Sequence, residues 1–398
     1  MSQYLPNLRH LDLNNSINLI KMPHFGEFPN LEWLDLEGCI KLVQLDPSIG
    51  LLTKLVYLNL KDCENIRHLG ISASHSQSTT TYILKRTMLH GLRELDLSFC
   101  SLLQIPDTIG CLYSLQGLNL GGNNFVTVPS LGELSKLEYL NLEHCKLLKS
   151  LPKLPSPTCI EHGLYKDSLL ALETRWCNGL LIFNCPKLDE RECYIRMTFS
   201  WMIQFIQANP HSFPDSLDVI QIVTPGSEIP SWFRHQSKGD WIRIDRSPIM
   251  HDNNNNIIGC VCCVVFSMAP QFRSRKYPMR LIFTADICSQ KLTKSGTIIP
   301  VNLYGNLNTV KSNHIWLTYF PLESSWDVSN QTLYVEMERG EDLGIEVKNC
   351  GYHWVYKEDL QEFNLTMMNH RNSLAGKRKS LTIEDQEAQP QQKLHSYI

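Results

Sequence analysis

The chain has 398 residues, 43 % of them apolar and 19 % charged, the balance of a folded protein and not of a disordered one. A formal charge of −3 argues against a basic nucleic-acid binder, and no apolar run reaches the roughly 18 residues needed to cross a bilayer. Fourteen cysteines are too sparse for a small disulfide scaffold, and residues 1–30 carry no signal-peptide pattern, so the cysteines read as reduced thiols of a cytoplasmic chain.

From the N-terminus, LPNLRHLDL returns as FPNLEWLDL, LTKLVYLNL, LHGLRELDL, LYSLQGLNL and LSKLEYLNL. The leading leucines are Leu8, Leu31, Leu55, Leu92, Leu115 and Leu137, spaced 23, 24, 37, 23 and 22 apart. That pattern is the leucine-rich repeat, an α/β solenoid whose units bury leucines against their neighbours. Three residues past each block's last leucine stand Ser16, Cys39, Cys63, Cys100, Asn123 and Cys145. A small side chain must fit the inward turn there, which predicts a structural ladder and no metal site. The other half of each repeat (MPHFGEFPNL, LDPSIGLLTKL, IPDTIGCLYSL, VPSLGELSKL) reads as convex loops and short helical turns. The first repeat begins almost at Met1 without a polar cap, which predicts that more chain normally precedes it.

Strand positions between the leucines should face the concave side. They supply the partner-binding candidates His10, Asp12, Trp33, Asp35, Glu37, Tyr57, Asn59, Lys61, Glu94, Asp96, Tyr139, Asn141 and Glu143. Trp33, Tyr57 and Tyr139 share one column, and exposed Trp and Tyr are favoured anchors of protein contacts. The Asp/Asn column reads mainly as a structural habit of such strands. The long interval holds a Ser/Thr-rich insertion, residues 71–88, expected to project as a surface loop.

Periodicity stops after Leu151 in the proline-rich LPKLPSP. The division expected is a solenoid over 1–155, a partly helical junction over 156–215, a β-sandwich over 216–360 and a disordered tail over 361–398. In the junction, Tyr194 to Ala208 has helical apolar spacing and should cap the solenoid. From about residue 217 the pattern turns to short β runs, at 217–223, 241–245, 257–267, 279–287, 314–320, 331–337 and 343–348. The densest, IIGCVCCVVFSM, should be the central core strand. Within PGSEIPSWFRHQSKG, Trp232 and His235 are further contact candidates, the block itself reading first as a structural unit. A hydrolase built on His235 or Asp240 has no nucleophile–base–acid set to support it. Sequons at Asn14, Asn330 and Asn364 matter only for a secreted chain.

The cysteine-bearing repeats, then LPxLP, IFNCPKLDE (182–190), TPGSEIPSWFRHQSKGDWIRI (224–244) and NCGYHWVYKEDL (349–360), resemble the C-terminal half of plant intracellular immune receptors. These are the disease-resistance proteins with TIR, nucleotide-binding and leucine-rich-repeat domains, followed by a jelly-roll/Ig-like domain. The resemblance implies a ligand-sensing module that meets a pathogen effector or a guarded host protein and controls defence signalling. It implies contact with the nucleotide-binding and TIR domains of an intact receptor, and oligomerisation only in that context. This chain has no GxxxxGK[ST] loop and no TIR segment, so nucleotide binding and NAD cleavage are not carried over, and no cofactor, catalytic residue, metal, nucleic acid or membrane is expected. The rival reading is a truncated decoy that binds without signalling. The nucleus is a second expected compartment if Lys377-Arg378-Lys379 acts as an import signal.

Overall fold

The computed structural model describes residues 4–66, 89–156, 178–188, 193–208, 220–239, 242, 256–268, 279–285, 297–303, 312–321, 336–337 and 345–360. The insertion at 71–88, most of the junction and the tail at 361–398 lie outside the described residues.

Six three-residue strands follow the LxxLxL blocks: β1 (His10–Asp12), β2 (Trp33–Asp35), β3 (Tyr57–Asn59), β4 (Glu94–Asp96), β5 (Gly117–Asn119) and β6 (Tyr139–Asn141). They pair in parallel and in strict register, His10 with Trp33, Trp33 with Tyr57, and so on to Gly117 with Tyr139. Strands this short cannot bury an apolar face alone, so the leucines on both sides of each strand enter one continuous core, Leu31, Leu34, Leu55, Leu60, Leu115, Leu118, Leu137 and Leu140 among them. On the convex side, single 3-10 turns form over Phe25–Glu27, Pro47–Leu51 and Asp107–Cys111. Asp46 caps the second by accepting from the Ser48 amide at 2.9 Å, and Ser48 Oγ accepts the Phe25 amide of the preceding turn at 2.7 Å. Polar capping therefore ties successive repeats together on the face opposite the strands.

The parallel ladder does not end at residue 155. A seventh strand, β7 (Gly179–Leu181), pairs with β6, and Cys185, three residues past Ile182, donates its thiol to the Leu142 carbonyl at 3.0 Å as a further ladder position. LLIFNCP is thus a seventh rung whose leading block has lost the LxxLxL form, which is why periodicity fails to show it.

Beyond it the sheet continues without a break. Strand β8 (Ile220–Pro225) pairs in parallel with β7, Gln221 opposite Gly179, and antiparallel with β13 (His314–Pro321). The order then runs through β10 (Ile257–Met268) and β15 (Ile345–Tyr356) to β9 (His235–Lys238). One twelve-stranded sheet therefore carries both the repeats and the C-terminal region. Val261, Cys263 and Val265 of β10 are fully buried in the core, and the long partner β15 shows a register shift between Val265 and Phe266 of β10, the mark of a bulge. A second sheet of three strands holds β12 (Thr297–Leu303), β11 (Met279–Ala285) and β14 (Glu336–Met337). Two strands, β9 and β12, lie outside the expected runs: HQSK is polar, and the apolar run of TIIPVNL is interrupted by Pro300.

The junction helix α1 (Cys193–Ala208) buries Phe199, Trp201, Met202, Ile203, Phe205 and Ile206. It packs against β8, not across the open end of the repeats, because β8 itself occupies that end. The Gln207 side chain donates to the Leu360 carbonyl at 2.8 Å, tying the helix to the end of the C-terminal region.

Candidate functional site

Three columns run across the rungs, and each has a physical cause. The ladder column points inward. Cys39, Cys63, Cys100 and Cys145 donate their thiols to carbonyls of the preceding repeat, Leu13 at 3.3 Å, Leu36 at 3.1 Å, Leu60 at 2.9 Å and Leu120 at 3.5 Å. Asn123 does more: its amide nitrogen reaches the Leu97 and Leu120 carbonyls at 2.8 and 2.9 Å, while its oxygen accepts the Leu102 amide at 3.0 Å. Burial raises these thiols, Cys63 and Cys185 to about 12, so they stay protonated donors. Ser16, on the first rung, is half-buried. Among the described residues no His/Cys/Asp/Glu group has metal-binding geometry.

The residue just before each ladder position forms a column that patterning alone did not show. Asn15, Gly38, Asp62, Phe99, Gly122, His144 and Asn184 all have left-handed backbones, φ 54–71°. That conformation aims each amide of the first six along the sheet, to the carbonyls of Glu37, Lys61, Ser98, Gly121, Glu143 and Phe183 in turn. Gly and Asn tolerate it readily; Phe99 at φ 56° is strained and lies over Gly122, where only a missing side chain leaves room for its ring. The signal was present as an Asn/Gly/Asp enrichment one residue upstream of the ladder.

The Asp/Asn column makes a turn in each of the first six rungs. Asp12, Asp35, Asn59, Asp96, Asn119 and Asn141 each accept, at 2.7–3.1 Å, the amide two residues on. Side chains also link rungs: Asn59 donates to Asp35 and Glu37, both at 3.2 Å, and Asn119 to Asp96 at 2.8 Å. Lys61 pairs with Glu37 at 2.7 Å.

The expectation that all concave candidates face solvent is corrected. His10 and Asp12 are exposed; Trp33, Asp35, Glu37, Lys61, Glu94 and Tyr139 are half-buried. Tyr57, Asn59, Asp96, Asn141 and Glu143 are buried, Tyr57 to 5 % exposure and Glu143 to 1 %. Tight rung spacing is one cause: Trp33 stacks on Tyr57 with centroids 3.4 Å apart and planes 8° apart, covering the tyrosine. Tyr139 sits in the same column but is separated from Tyr57 by Glu94 and Gly117. Burial pushes Asp96 up to about 6 and Glu143 up to about 8, hydrogen bonds from Ser98 and Asn141 opposing it. The most open part of the concave face is therefore the first two rungs, where Trp33, stacked on the buried Tyr57 of the third, stands beside carboxylates.

In the C-terminal region, Trp232 is half-buried and serves packing: it lies 4.3 Å from the Phe199 ring of α1 and edge-on to His353 at 5.3 Å. Phe233 beside it is buried. His235 is exposed on β9 and stacks flat on buried Tyr352 at 4.5 Å. At the join of repeats and C-terminal region, Asn184 lies between two histidines. Its side chain contacts His144 Nδ1 at 2.8 Å and its amide donates to His314 Nε2 at 3.2 Å, with Phe183 packed against both rings. Burial lowers His314 to about 4, which keeps that nitrogen an acceptor.

The family model of the C-JID domain matches residues 224–361 and that of the leucine-rich repeat matches residues 90–147. Disease resistance-like protein DSC1 of Arabidopsis thaliana is 31 % identical over 57 % of this chain and 19 % of its own length. Disease resistance protein RPS4 of Arabidopsis thaliana is 24 % identical over 89 % of this chain and 32 % of its own length. TMV resistance protein N of Nicotiana glutinosa is 26 % identical over 93 % of this chain and 34 % of its own length. Among solved structures, the leucine-rich repeat domain of the type III effector XopL aligns at TM-score 0.34 and 21 % identity, over 46 % of this chain and 55 % of that one. The chain spans about a third or less of the length of these curated relatives. No described helix is long and apolar enough to cross a membrane. By these matches the chain corresponds to the C-terminal leucine-rich-repeat and C-JID region of plant TIR-NBS-LRR disease-resistance proteins.

Proposed function

We propose that this chain is the recognition part of an intracellular immune receptor, binding a pathogen effector or a guarded host protein by protein–protein contact and so controlling defence signalling. The observation that supports it best is the Trp33–Tyr57 stack, held on short strands beside Asp12 and Asp35 on the open part of the concave sheet. A half-exposed indole with its rotamer fixed by stacking loses little entropy on binding and offers a large anchoring area. The role is non-catalytic, and the C-terminal region forms a sandwich from its two sheets that holds the solenoid end. Continuity of the sheet supports coupling between the two regions, since a load on the rungs reaches β8 through backbone hydrogen bonds. In an intact receptor, binding would act by favouring an open arrangement of the nucleotide-binding and TIR domains through differential affinity.

The test is to screen purified effector and host proteins by biolayer interferometry against the intact chain and Trp33→Ala. A binder weakened at least tenfold by the substitution, with unchanged circular dichroism, supports the reading. Binders indifferent to Trp33→Ala contradict it.

A further inference from the structure

We propose that the partner segment received by the first two rungs is basic, and that an arginine side chain of that segment lies on the open face of Trp33 with its guanidinium directed to Asp12 and Asp35. The inference rests on the recognition reading above and adds the chemistry of what is recognised.

Trp33 has two faces with different fates. One is closed by Tyr57 at 3.4 Å; the other looks toward His10, whose ring centroid is 6.4 Å away and tilted by 37°. The gap is wedge-shaped and open, since His10 is exposed. A cation stabilised by an indole lies within about 6 Å of the ring centroid, and a planar guanidinium stacks there where an ammonium cannot. Two residues further along the same strands, about 7 Å away by strand geometry, Asp12 and Asp35 stand side by side in register.

Each aspartate accepts a backbone amide through one oxygen, Asp12 from Asn14 and Asp35 from Glu37, and the second oxygen of Asp35 also accepts from Asn59 at 3.2 Å. Neither takes part in an ion pair among the described residues; the basic side chains nearby are engaged elsewhere, Arg9 with Glu32 at 3.0 Å and Lys61 with Glu37 at 2.7 Å. The carboxyl of Asp35 is held above its ordinary range, by burial first and then by the charges of Glu37 and Asp12. The carboxylates that reach the surface, Asp12, Asp35, Glu37 and Glu94, face one lysine, Lys61, across the first four rungs. Charge complementarity thus selects a basic occupant, and the aromatic wedge selects guanidinium within it.

A random peptide library displayed on phage is panned on the intact chain, on Trp33→Ala and on the Asp12→Asn/Asp35→Asn double variant. The expected result is enrichment of arginine-bearing basic peptides, with affinities of synthetic representatives falling at least tenfold in either variant and weakening steeply with salt. Neutral or acidic peptides that depend on Trp33 but not on the aspartates would overturn the charge inference and leave the recognition reading standing. Lysine-rich peptides binding as well as arginine-rich ones would overturn the guanidinium assignment. Peptides indifferent to both variants, or no enrichment, would overturn both. Asp107→Asn, on a convex 3-10 turn, is the control that should change nothing.

Discussion

Replacing Asn123 with Ala should destabilise the solenoid far more than replacing Cys145 with Ala one rung later. The two side chains occupy the same column and both are buried. Without Asn123, the Leu102 amide loses its acceptor at 3.0 Å and the Leu97 carbonyl loses its donor at 2.8 Å, and neither has another partner among the described residues. Each orphaned buried group costs about 1–3 kcal/mol, so after partial relaxation the loss is about 3–4 kcal/mol. Cys145 donates at 3.5 Å to the Leu120 carbonyl, which keeps a second donor in Asn123 at 2.9 Å. Its removal orphans nothing and leaves a void of one sulfur, about 1 kcal/mol. Asn123→Cys should fall between the two, at about 2 kcal/mol, because a thiol can serve the Leu97 carbonyl but not the Leu102 amide. Urea unfolding followed by far-ultraviolet circular dichroism reads the differences as shifts of midpoint at constant slope. Equal losses for Asn123→Ala and Cys145→Ala would refute the claim that this column acts through named backbone groups.

Gly179→Ala places a methyl group on the Gln221 carbonyl at a backbone φ of +149°, so the β7–β8 pairing should break, with about 3 kcal/mol lost and separate unfolding of repeats and C-terminal region by calorimetry; a single unchanged transition would refute it. Glu143, raised to about 8 from an ordinary 4.5, binds its proton more tightly folded than unfolded, so its contribution is full below about pH 4.5 and is lost as pH rises toward 8; Glu143→Gln should flatten that fall in urea midpoints. His314 has the opposite sign: lowered to about 4 from 6.5, it contributes fully above 6.5 and loses this as pH falls through 4, so the Asn184 amide that it accepts should lose exchange protection faster than its neighbours on acidification. Trp33→Ala should cost little stability but expose Tyr57, read as a rise in tyrosine emission.

Six rungs and their ladder were legible because burying a leucine every second or third residue leaves a periodic trace, and because a turn interior admits only small side chains. The seventh rung was hidden since GLLIFNC keeps the buried positions but not the leucine spelling. The direction of a concave side chain followed from alternation, but its exposure did not: stacking of Trp33 over Tyr57 and the amide links of Asn59 depend on neighbours 22 to 24 residues away. Strand β9 was missed because an edge strand bonded along one side needs no apolar residues, and HQSK has none. The continuous sheet was unreadable, for nothing in IQIVTP distinguishes a strand that starts a new sheet from one that extends an old one.

The most direct test of the account places a photo-crosslinking amino acid at position 10, where His10 is exposed on the concave side beside Trp33, or at position 113, where Tyr113 is exposed on the convex side. The chain with each label is irradiated with a binder selected from the effector and host panel. Recognition through the concave face predicts a discrete adduct from position 10, suppressed by excess unlabelled chain, and none from position 113. An adduct from position 113 alone would contradict it.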